Sequence, residues 1–310
     1  MRHRVVALLG ATASGKTAVA VEVARRLPVE VVSADSRQLR CEMSIGTAAP
    51  TDEELAEVPH HLVGILPPDA PWTVADFQER ARAALEEIWR RGRTPLLVGG
   101  SGQYVWALLE GWNVPRVPPD GQLRERLGAE AAEHGAEAVH GRLAALDPDS
   151  AWRIDARNVR RVVRALEIVT ATGAPVAPLE REPPDFDWCA IGIAWPREAL
   201  YRRADERVER MYAAGLVAET ASLVESHGTA FDALKSIGYA EAARVVGGEW
   251  DERTAVEHTK AQTHRLIRTQ ATWFRADDAR IEWCDGSDPD AVARAVVAAA
   301  AGPVRSPDDG

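Results

Sequence analysis

The sequence predicts an α/β protein with a parallel sheet core and an inserted, all-helical subdomain. Apolar stretches of strand length, at 5–9, 29–34 and 95–98, alternate with helical patterns. Such alternation is typical of a doubly wound parallel sheet. Two proline-rich stretches, 115–119 and 175–184, then bracket a segment in which every pattern is helical. We therefore assign 1–115 and 187–310 to the core and 116–186 to the helical insertion.

The remaining elements follow from hydrophobic periodicity. Helices are predicted at 18–27, 73–89, 103–109, 122–133, 136–146 and 157–170. A further strand is predicted at 189–195, after which the chain is mainly helical to Arg275, and a polar tail follows Gly302.

Composition limits the classes of protein to consider. The 310 residues are 46% hydrophobic and contain no apolar stretch of membrane-spanning length, so we expect no membrane association. The chain enters its first strand at once, and we expect no signal peptide. The three cysteines, Cys41, Cys189 and Cys284, are widely spaced, which argues against a zinc knuckle or a disulfide framework and favours the cytosol. The net charge of −10 argues weakly against nucleic-acid binding.

Between the first strand and the first helix lies a match to the G-x-x-x-x-G-K-[ST] phosphate-binding loop. Its residues are Gly10, Ala11, Thr12, Ala13, Ser14, Gly15, Lys16 and Thr17. In such a loop, main-chain N–H groups point at phosphate oxygens. Lys16 adds a positive charge, and the Thr17 hydroxyl is a ligand for Mg²⁺. The core is thus predicted to resemble a P-loop NTPase and to bind a di- or triphosphate.

Two further segments should lie beside this loop, because ligands gather at the carboxyl ends of parallel strands. Asp35 ends the second strand and has three candidate roles: Mg²⁺ ligand, general base, or cap of the next turn. The third strand ends at 99–101, Gly-Gly-Ser, without a carboxylate, which argues against a motor or switch NTPase. The pair His60 and His61 has no third ligand nearby, so we expect it to pack in a loop.

A basic face is predicted on the helix at 157–170. Its arginines are Arg157, Arg160, Arg161 and Arg164, and the apolar residues Val159, Val162, Val163 and Leu166 have the same spacing. The face favours a polyanion, although a solvated face with Asp155 and Glu167 as partners is the alternative. The segment 259–275 is also basic, with no acidic residue, and we expect its Trp273 and Phe274 to pack in the core.

Several segments, in order over nearly the whole chain, then carry a resemblance to a known family. They are 10–17, 33–38, 45–48, 58–63, 97–104 and 107–111, then Arg161 with 164–167, Ile237, Gly238 and Tyr239 with Glu241, and Gln270 with 272–275. Together they resemble the bacterial tRNA dimethylallyltransferases, also called tRNA isopentenyltransferases. The segments after the phosphate loop are the more specific ones, since many kinases share the loop itself.

The resemblance implies transfer of a dimethylallyl group from dimethylallyl diphosphate to N6 of adenine 37 of tRNA, with Mg²⁺ as cofactor. It implies that Asp35 is the general base and that Ser101, where the family usually has threonine, contacts the amine or the leaving group. Arg207 joins the phosphate loop in the diphosphate site. The tRNA contacts are expected at Asp35, Ser36, Arg37, Gln38, Ser101, Arg124, Arg160, Arg161, Arg164, Arg268 and Gln270. The helical insertion would grip the anticodon stem-loop, and the enzyme is expected to be a cytoplasmic monomer.

The sequence departs from the family pattern at a few positions, which leaves details of tRNA contact open. Arg40, Ala49, His264, Arg265 and Thr269 stand where the family has other residues. Two other functions explain part of the sequence: an ATP-dependent small-molecule kinase and a non-catalytic RNA-binding protein. The kinase explains the arginine face and the basic late helix less well, and intact Lys16, Thr17 and Asp35 weigh against the non-catalytic protein.

Overall fold

The structure is a computed structural model that describes residues 3–302, so the predicted polar tail lies outside the described residues. Its strands are β1 (Arg4–Leu9), β2 (Val29–Ala34), β3 (His60–His61), β4 (Thr94–Gly99), β5 (Asp187–Ala194) and β6 (Ile281–Asp285). Its helices are α1 (Lys16–Ala24), α2 (Ser44–Thr47), α3 (Asp52–Glu57), α4 (Val74–Arg90), α5 (Gly102–Leu109), α6 (Gly121–His134), α7 (Ala136–Leu146), α8 (Pro148–Arg153), α9 (Val159–Thr172), α10 (Arg197–Ala213), α11 (Leu216–His227), α12 (Tyr239–Val246), α13 (Glu252–Trp273) and α14 (Pro289–Ala301). No helix among these residues is long and apolar enough to cross a membrane.

Of the described residues, the first compact unit comprises 3–70, 78–111 and 183–302 and is built on the sheet. Its six strands lie in the order β3-β2-β4-β1-β5-β6, and every pairing is parallel. Strands β1, β2 and β4 are buried along almost their whole length, as expected for a sheet covered on both faces. The predicted α/β fold with a parallel sheet is confirmed.

Strand register places three loops side by side. Leu96 of β4 pairs with Val6 of β1 on one side and with Val31 of β2 on the other. Because all three strands run in the same direction, the segments that follow Leu9, Ala34 and Gly99 leave the sheet at the same edge.

The second compact unit comprises 71–77, which include the start of α4, and 112–182, which contain helices α6, α7, α8 and α9. Its core is formed by Leu123, Leu127, Val139, Leu143, Ala151, Val162, Val163, Ala165 and Leu166. Its main segment, 112–182, begins and ends a few residues earlier than the predicted 116–186 insertion. The unit also includes 71–77, which the sequence did not assign to it, because membership of a unit depends on tertiary contacts that a local pattern does not record.

Several elements differ from the sequence prediction, which did not include α2, α3, β6 or α14. His60 and His61 form the edge strand β3 rather than a loop, and His61 bonds to buried Glu30 at 2.7 Å. Helix α8 was missed, because six residues are too few to show periodicity, although Asp147 caps it and Pro148 starts it. Arg157 lies before α9, whose N-cap is Asn158, rather than within the helix.

Candidate active site

The phosphate loop connects β1 to α1 and has the backbone conformation of an anion cradle. Ala13 (φ 63°) and Gly15 (φ 96°) are left-handed, and the left-handed form is rare for a residue with a side chain such as Ala13. Alternation of this kind turns successive N–H groups to one side. Strain held at such a position is typical of functional loops.

The carbonyl groups of the phosphate loop accept hydrogen bonds from side chains. Lys16 Nζ donates to the carbonyls of Gly10 (3.0 Å) and Ala11 (2.9 Å). Arg203 Nε donates to Ala13 O at 2.9 Å, and Trp195 Nε1 donates to Ser14 O at 3.0 Å. These hydrogen bonds fix the conformation of the loop. The buried hydroxyl of Ser14 has no hydrogen-bond partner among the described residues.

Asp35 follows β2 at the same edge of the sheet and plays two parts. Its Oδ1 accepts hydrogen bonds from the N–H of Arg37 (2.8 Å) and of Gln38 (3.4 Å), which closes a turn, so the predicted capping role is present. Both bonds use Oδ1 and leave Oδ2 outside the turn. The carboxylate also lies close enough to Lys16 and Arg207 to act on the charge of each.

These charges perturb one another. Burial lowers the pKa of Lys16 to about 8; the carboxylate of Asp35 opposes this shift and the guanidinium of Arg207 adds to it. Burial also lowers the pKa of Arg207, again against the influence of Asp35. Two cations are therefore held beside one carboxylate, an arrangement that favours binding of a further anion.

Ser101 and Gln270 join the three loops. Ser101 Oγ accepts the N–H of Ser36 at 3.0 Å. Gln270 is buried; its Oε1 accepts the N–H of Thr12 at 2.9 Å and its Nε2 donates to Gly100 O at 3.0 Å. The expected convergence of the three loops is thus confirmed. Gln270, expected among the tRNA contacts, lies instead between two loops of the core, a role that requires both halves of its amide.

Similarity to known proteins decides the family of the chain. A family model described as IPP transferase matches residues 38–277, more than half of the chain. The chain belongs to the IPP transferase family. A second model, described as Isopentenyl transferase, matches residues 3–61.

Individual relatives agree with this assignment. A tRNA dimethylallyltransferase of Chloroflexus aurantiacus is 50% identical over 275 residues, which cover 88% of this chain and 93% of the relative. One of Dehalococcoides mccartyi is 42% identical over 278 residues, covering 89% and 86%. The crystal structure of the tRNA isopentenylpyrophosphate transferase of Bacillus halodurans is 35% identical with a TM-score of 0.70, covering 97% of each chain.

Two of the residues that depart from the family pattern, Arg40 and His264, make contacts within the core. Arg40 donates to the carbonyls of Pro67 (2.8 Å) and Ala70 (2.5 Å). His264 Nε2 is hydrogen-bonded to Asp205 Oδ1 at 2.8 Å, and its ring stacks on that of Tyr201, with ring centres 4.0 Å apart. Neither change alters the phosphate loop of this IPP transferase.

The basic segment on α13 is partly neutralised by acids that lie outside the segment, one of them on another helix. Lys260 is paired with Glu209 of α10 and with Glu257, at 2.9 and 3.0 Å. Arg268 is exposed and donates to the Tyr201 hydroxyl at 3.2 Å. Phe274 is buried, with its ring centre 6.2 Å from that of Trp106, so its predicted core position is confirmed.

The helical unit of the transferase uses two of its predicted tRNA contacts to neutralise a buried acid. Glu167 is almost fully buried and accepts from Arg124 (2.6 and 2.9 Å) and from Arg164 (3.1 Å). Burial raises the pKa of Glu167, but the hydrogen bonds, led by that from Arg124, outweigh it and bring the pKa below its usual value. Arg164 also donates to Val117 O at 2.8 Å.

The other arginines of this surface differ in their pairing. Arg157 is exposed and forms an ion pair with Asp155. Arg160 and Arg161, in the first turn of α9, are exposed, and neither is ion-paired with another described residue. Both interpretations of the basic face therefore hold in part: Asp155 and Glu167 are partners, as in the solvated alternative, and two cations remain for an anion.

Proposed function

We propose that this chain transfers the dimethylallyl group of dimethylallyl diphosphate to N6 of adenine 37 of tRNA, giving N6-isopentenyladenosine and diphosphate. Membership of the IPP transferase family and relatives named tRNA dimethylallyltransferase support transfer of the prenyl group to tRNA. The observation that carries the finer assignment is the position of Asp35 beside Lys16 and Arg207 at one sheet edge. A leaving-group site and a proton acceptor are thereby close together.

Departure of the diphosphate is assisted by the cradle. When the C1–O bond breaks, its electron pair moves to the diphosphate oxygen, and the loop N–H groups, Lys16 and Arg207 stabilise the negative charge that develops there. Among residues 3–302 no cluster of three His, Cys, Asp or Glu side chains is placed to hold a metal. The protein ligand that we assign to Mg²⁺ is the Thr17 hydroxyl. This ion usually keeps several waters and binds mainly through substrate phosphates. When bound, Mg²⁺ supplies further charge neutralisation to the diphosphate.

Asp35 accepts the proton that the nucleophile must lose. The N6 lone pair forms the new bond to C1 of the dimethylallyl group, and the N6 proton passes to Asp35, whose Oδ2 lies outside the turn closed by Oδ1. We assign contact with the amine to the Ser101 hydroxyl, which accepts the N–H of Ser36. An adenine must leave its stack to reach these groups.

In the helical unit, Arg160 and Arg161 are the residues we assign to the anticodon stem-loop phosphates. Exposed guanidinium groups without carboxylate partners gain most from phosphate contact, since binding releases counterions and breaks no existing pair. Action on tRNA also fits the expected cytosolic location, which stays a prediction, as does the monomeric state.

The test uses two RNAs. The full-length protein is incubated with Mg²⁺, labelled dimethylallyl diphosphate and an unmodified anticodon stem-loop carrying adenine at position 37, or the same RNA with guanine there. We expect label in the first RNA and none in the second. Equal label in both would refute the assignment to adenine 37. Consumption of ATP with a small acceptor, and no label in RNA, would favour the kinase.

A further inference from the structure

The carboxylate of Glu219, in the first turn of α11, is the centre of a polar cluster in the sheet-based unit. Its Oε2 accepts hydrogen bonds from the N–H and the hydroxyl of Ser44, both at 3.1 Å, and from the N–H of Ile45 at 3.0 Å. Its Oε1 accepts from the N–H of Gly46 at 3.3 Å and from the hydroxyl of Tyr239 at 2.5 Å. The carboxylate therefore satisfies the first N–H groups of α2, which otherwise lack partners.

Tyr239 completes this cluster from α12. Its side chain is fully buried, and its hydroxyl accepts the N–H of Gly46 at 3.0 Å while it donates to Glu219. A Cβ atom at position 46 would lie 2.3 Å from the Tyr239 ring, so only glycine permits this approach. Burial, followed by the hydrogen bond to Glu219, raises the pKa of Tyr239, which keeps its hydroxyl protonated as a donor. The 237–239 segment, which the proposed reaction does not use, thus has a structural partner.

Residues 44–48, which comprise α2 and the residue after it, form a turn whose far end contacts two residues of the candidate site. Arg207 donates to Thr47 O at 3.2 Å, and Gln38 Nε2 donates to Ala48 O at 3.0 Å. Ala48 is left-handed (φ 44°), a strained conformation for alanine. The direction of both carbonyls therefore depends on the 44–48 turn, and the contacts that fix the start of that turn come from Glu219 and Tyr239.

We propose that Glu219 and Tyr239 are positioning residues for the prenyl transfer. They fix the 44–48 turn, and this turn holds Arg207 at the diphosphate and Gln38 in the turn that Asp35 closes. The inference rests on the proposed function. Neither residue touches the substrate in this scheme. Their effect reaches the reaction through Arg207, whose guanidinium must face the leaving group, and through Gln38, which belongs to the turn closed by Asp35.

The experiment compares Glu219→Gln and Tyr239→Phe with the matched control Glu225→Gln, an exposed carboxylate on the same helix. The amide introduced by Glu219→Gln would present an NH₂ group to N–H donors, and Tyr239→Phe would keep the ring but remove the hydroxyl. For both variants we expect the Kd for inorganic pyrophosphate to rise and kcat to fall, each by about 10-fold to 100-fold, as is usual when an outer residue that orients a ligand-binding group is lost. The control should match the wild type.

A residue needed only for folding would behave differently. It would lower the fraction of active molecules and hence the apparent kcat, with an unchanged pyrophosphate Kd. A double-mutant cycle sharpens the test: in an Arg207→Ala background, Glu219→Gln should weaken pyrophosphate binding by less than about 2-fold, because the group through which it acts is gone. Unchanged Kd and kcat in both single variants would overturn the proposal. If wild-type protein modifies no RNA, the proposed function fails, whereas the pyrophosphate measurements still report on the turn.

Discussion

Two parts of the molecule collect positive charge, the sheet edge and the surface of α9, and they hold it in different ways. At the sheet edge, Lys16 and Arg207 donate hydrogen bonds to main-chain carbonyls, which carry no net charge, and the two cations share one nearby carboxylate, that of Asp35. On α9, by contrast, Arg164 is bound to the buried carboxylate of Glu167. A cation held by carbonyls keeps its charge for a ligand, whereas the charge of one held by a carboxylate is already largely neutralised. The number of basic residues in a segment is therefore a poor guide to its affinity for anions.

The largest effect is expected from the carboxylate at the sheet edge. Asp35→Asn keeps an oxygen for the turn to Arg37 but removes the proton acceptor, so turnover should fall by about 10²-fold to 10⁴-fold. Affinity for dimethylallyl diphosphate should stay the same or rise, since a negative charge near Lys16 is lost. Single-turnover labelling of RNA and equilibrium binding separate the two quantities. Near-normal turnover would remove Asp35 from proton transfer.

The next effect tests the carboxylate in the helical unit, which we expect to matter for stability. Glu167→Gln leaves Arg124 and Arg164 beside a neutral group, and the free energy of unfolding should fall by about 3 kcal/mol, the low end for breaking a buried pair, because both arginines are partly exposed. The control is Glu125→Gln, an exposed residue of α6. Urea unfolding of the full chain measures the difference. A change in the free energy of unfolding under about 0.5 kcal/mol would mean that the ion pairs of the two arginines with Glu167 do not stabilise the protein.

The same contrast shows what the sequence was able to predict. The strands β1, β2, β4 and β5 are evident because buried parallel strands are continuous apolar runs, and the phosphate loop is evident because its spacing is rigid. A single residue such as Gln270 is different. Its hydrogen bonds to Thr12 and Gly100 connect positions far apart in the chain, and no local pattern indicates a buried amide.

Charge pairing was missed for a related reason. Lys260 lies in a segment without acids, yet Glu209 of α10 neutralises it. The sequence predicts Glu167 as a partner only within a solvated face, whereas the structure buries it and adds Arg124 from α6. Pairing depends on which helices pack together, and helical periodicity describes each helix separately.

The charge of Lys16 at the sheet edge should also make diphosphate binding depend on pH. Free protein has a Lys16 pKa of about 8, so below that pH the ammonium is charged and attracts the diphosphate. Above it, binding must take up a proton, and the affinity for dimethylallyl diphosphate should fall about tenfold per pH unit between about pH 8.5 and 9.5. The ligand itself is fully ionised there, since its terminal phosphate titrates near about pH 6. Calorimetry without tRNA measures the slope; Lys16→Met should bind weakly with no slope, and a flat wild-type profile would contradict the lowered pKa.

The smallest effect concerns Arg160 and Arg161 of α9, which have no carboxylate partner within residues 3–302. Replacing both Arg160 and Arg161 by alanine should weaken binding of the anticodon stem-loop by about tenfold and reduce the slope of log K against log salt by about 1 for each arginine. Arg124→Ala is the informative companion, because its guanidinium is already bound to Glu167. It should lower stability and leave the salt slope unchanged. If instead Arg124→Ala flattens the slope as much as the double variant does, Arg124 contacts the RNA as the sequence predicts, and the distinction between unpaired and carboxylate-held cations fails for this surface.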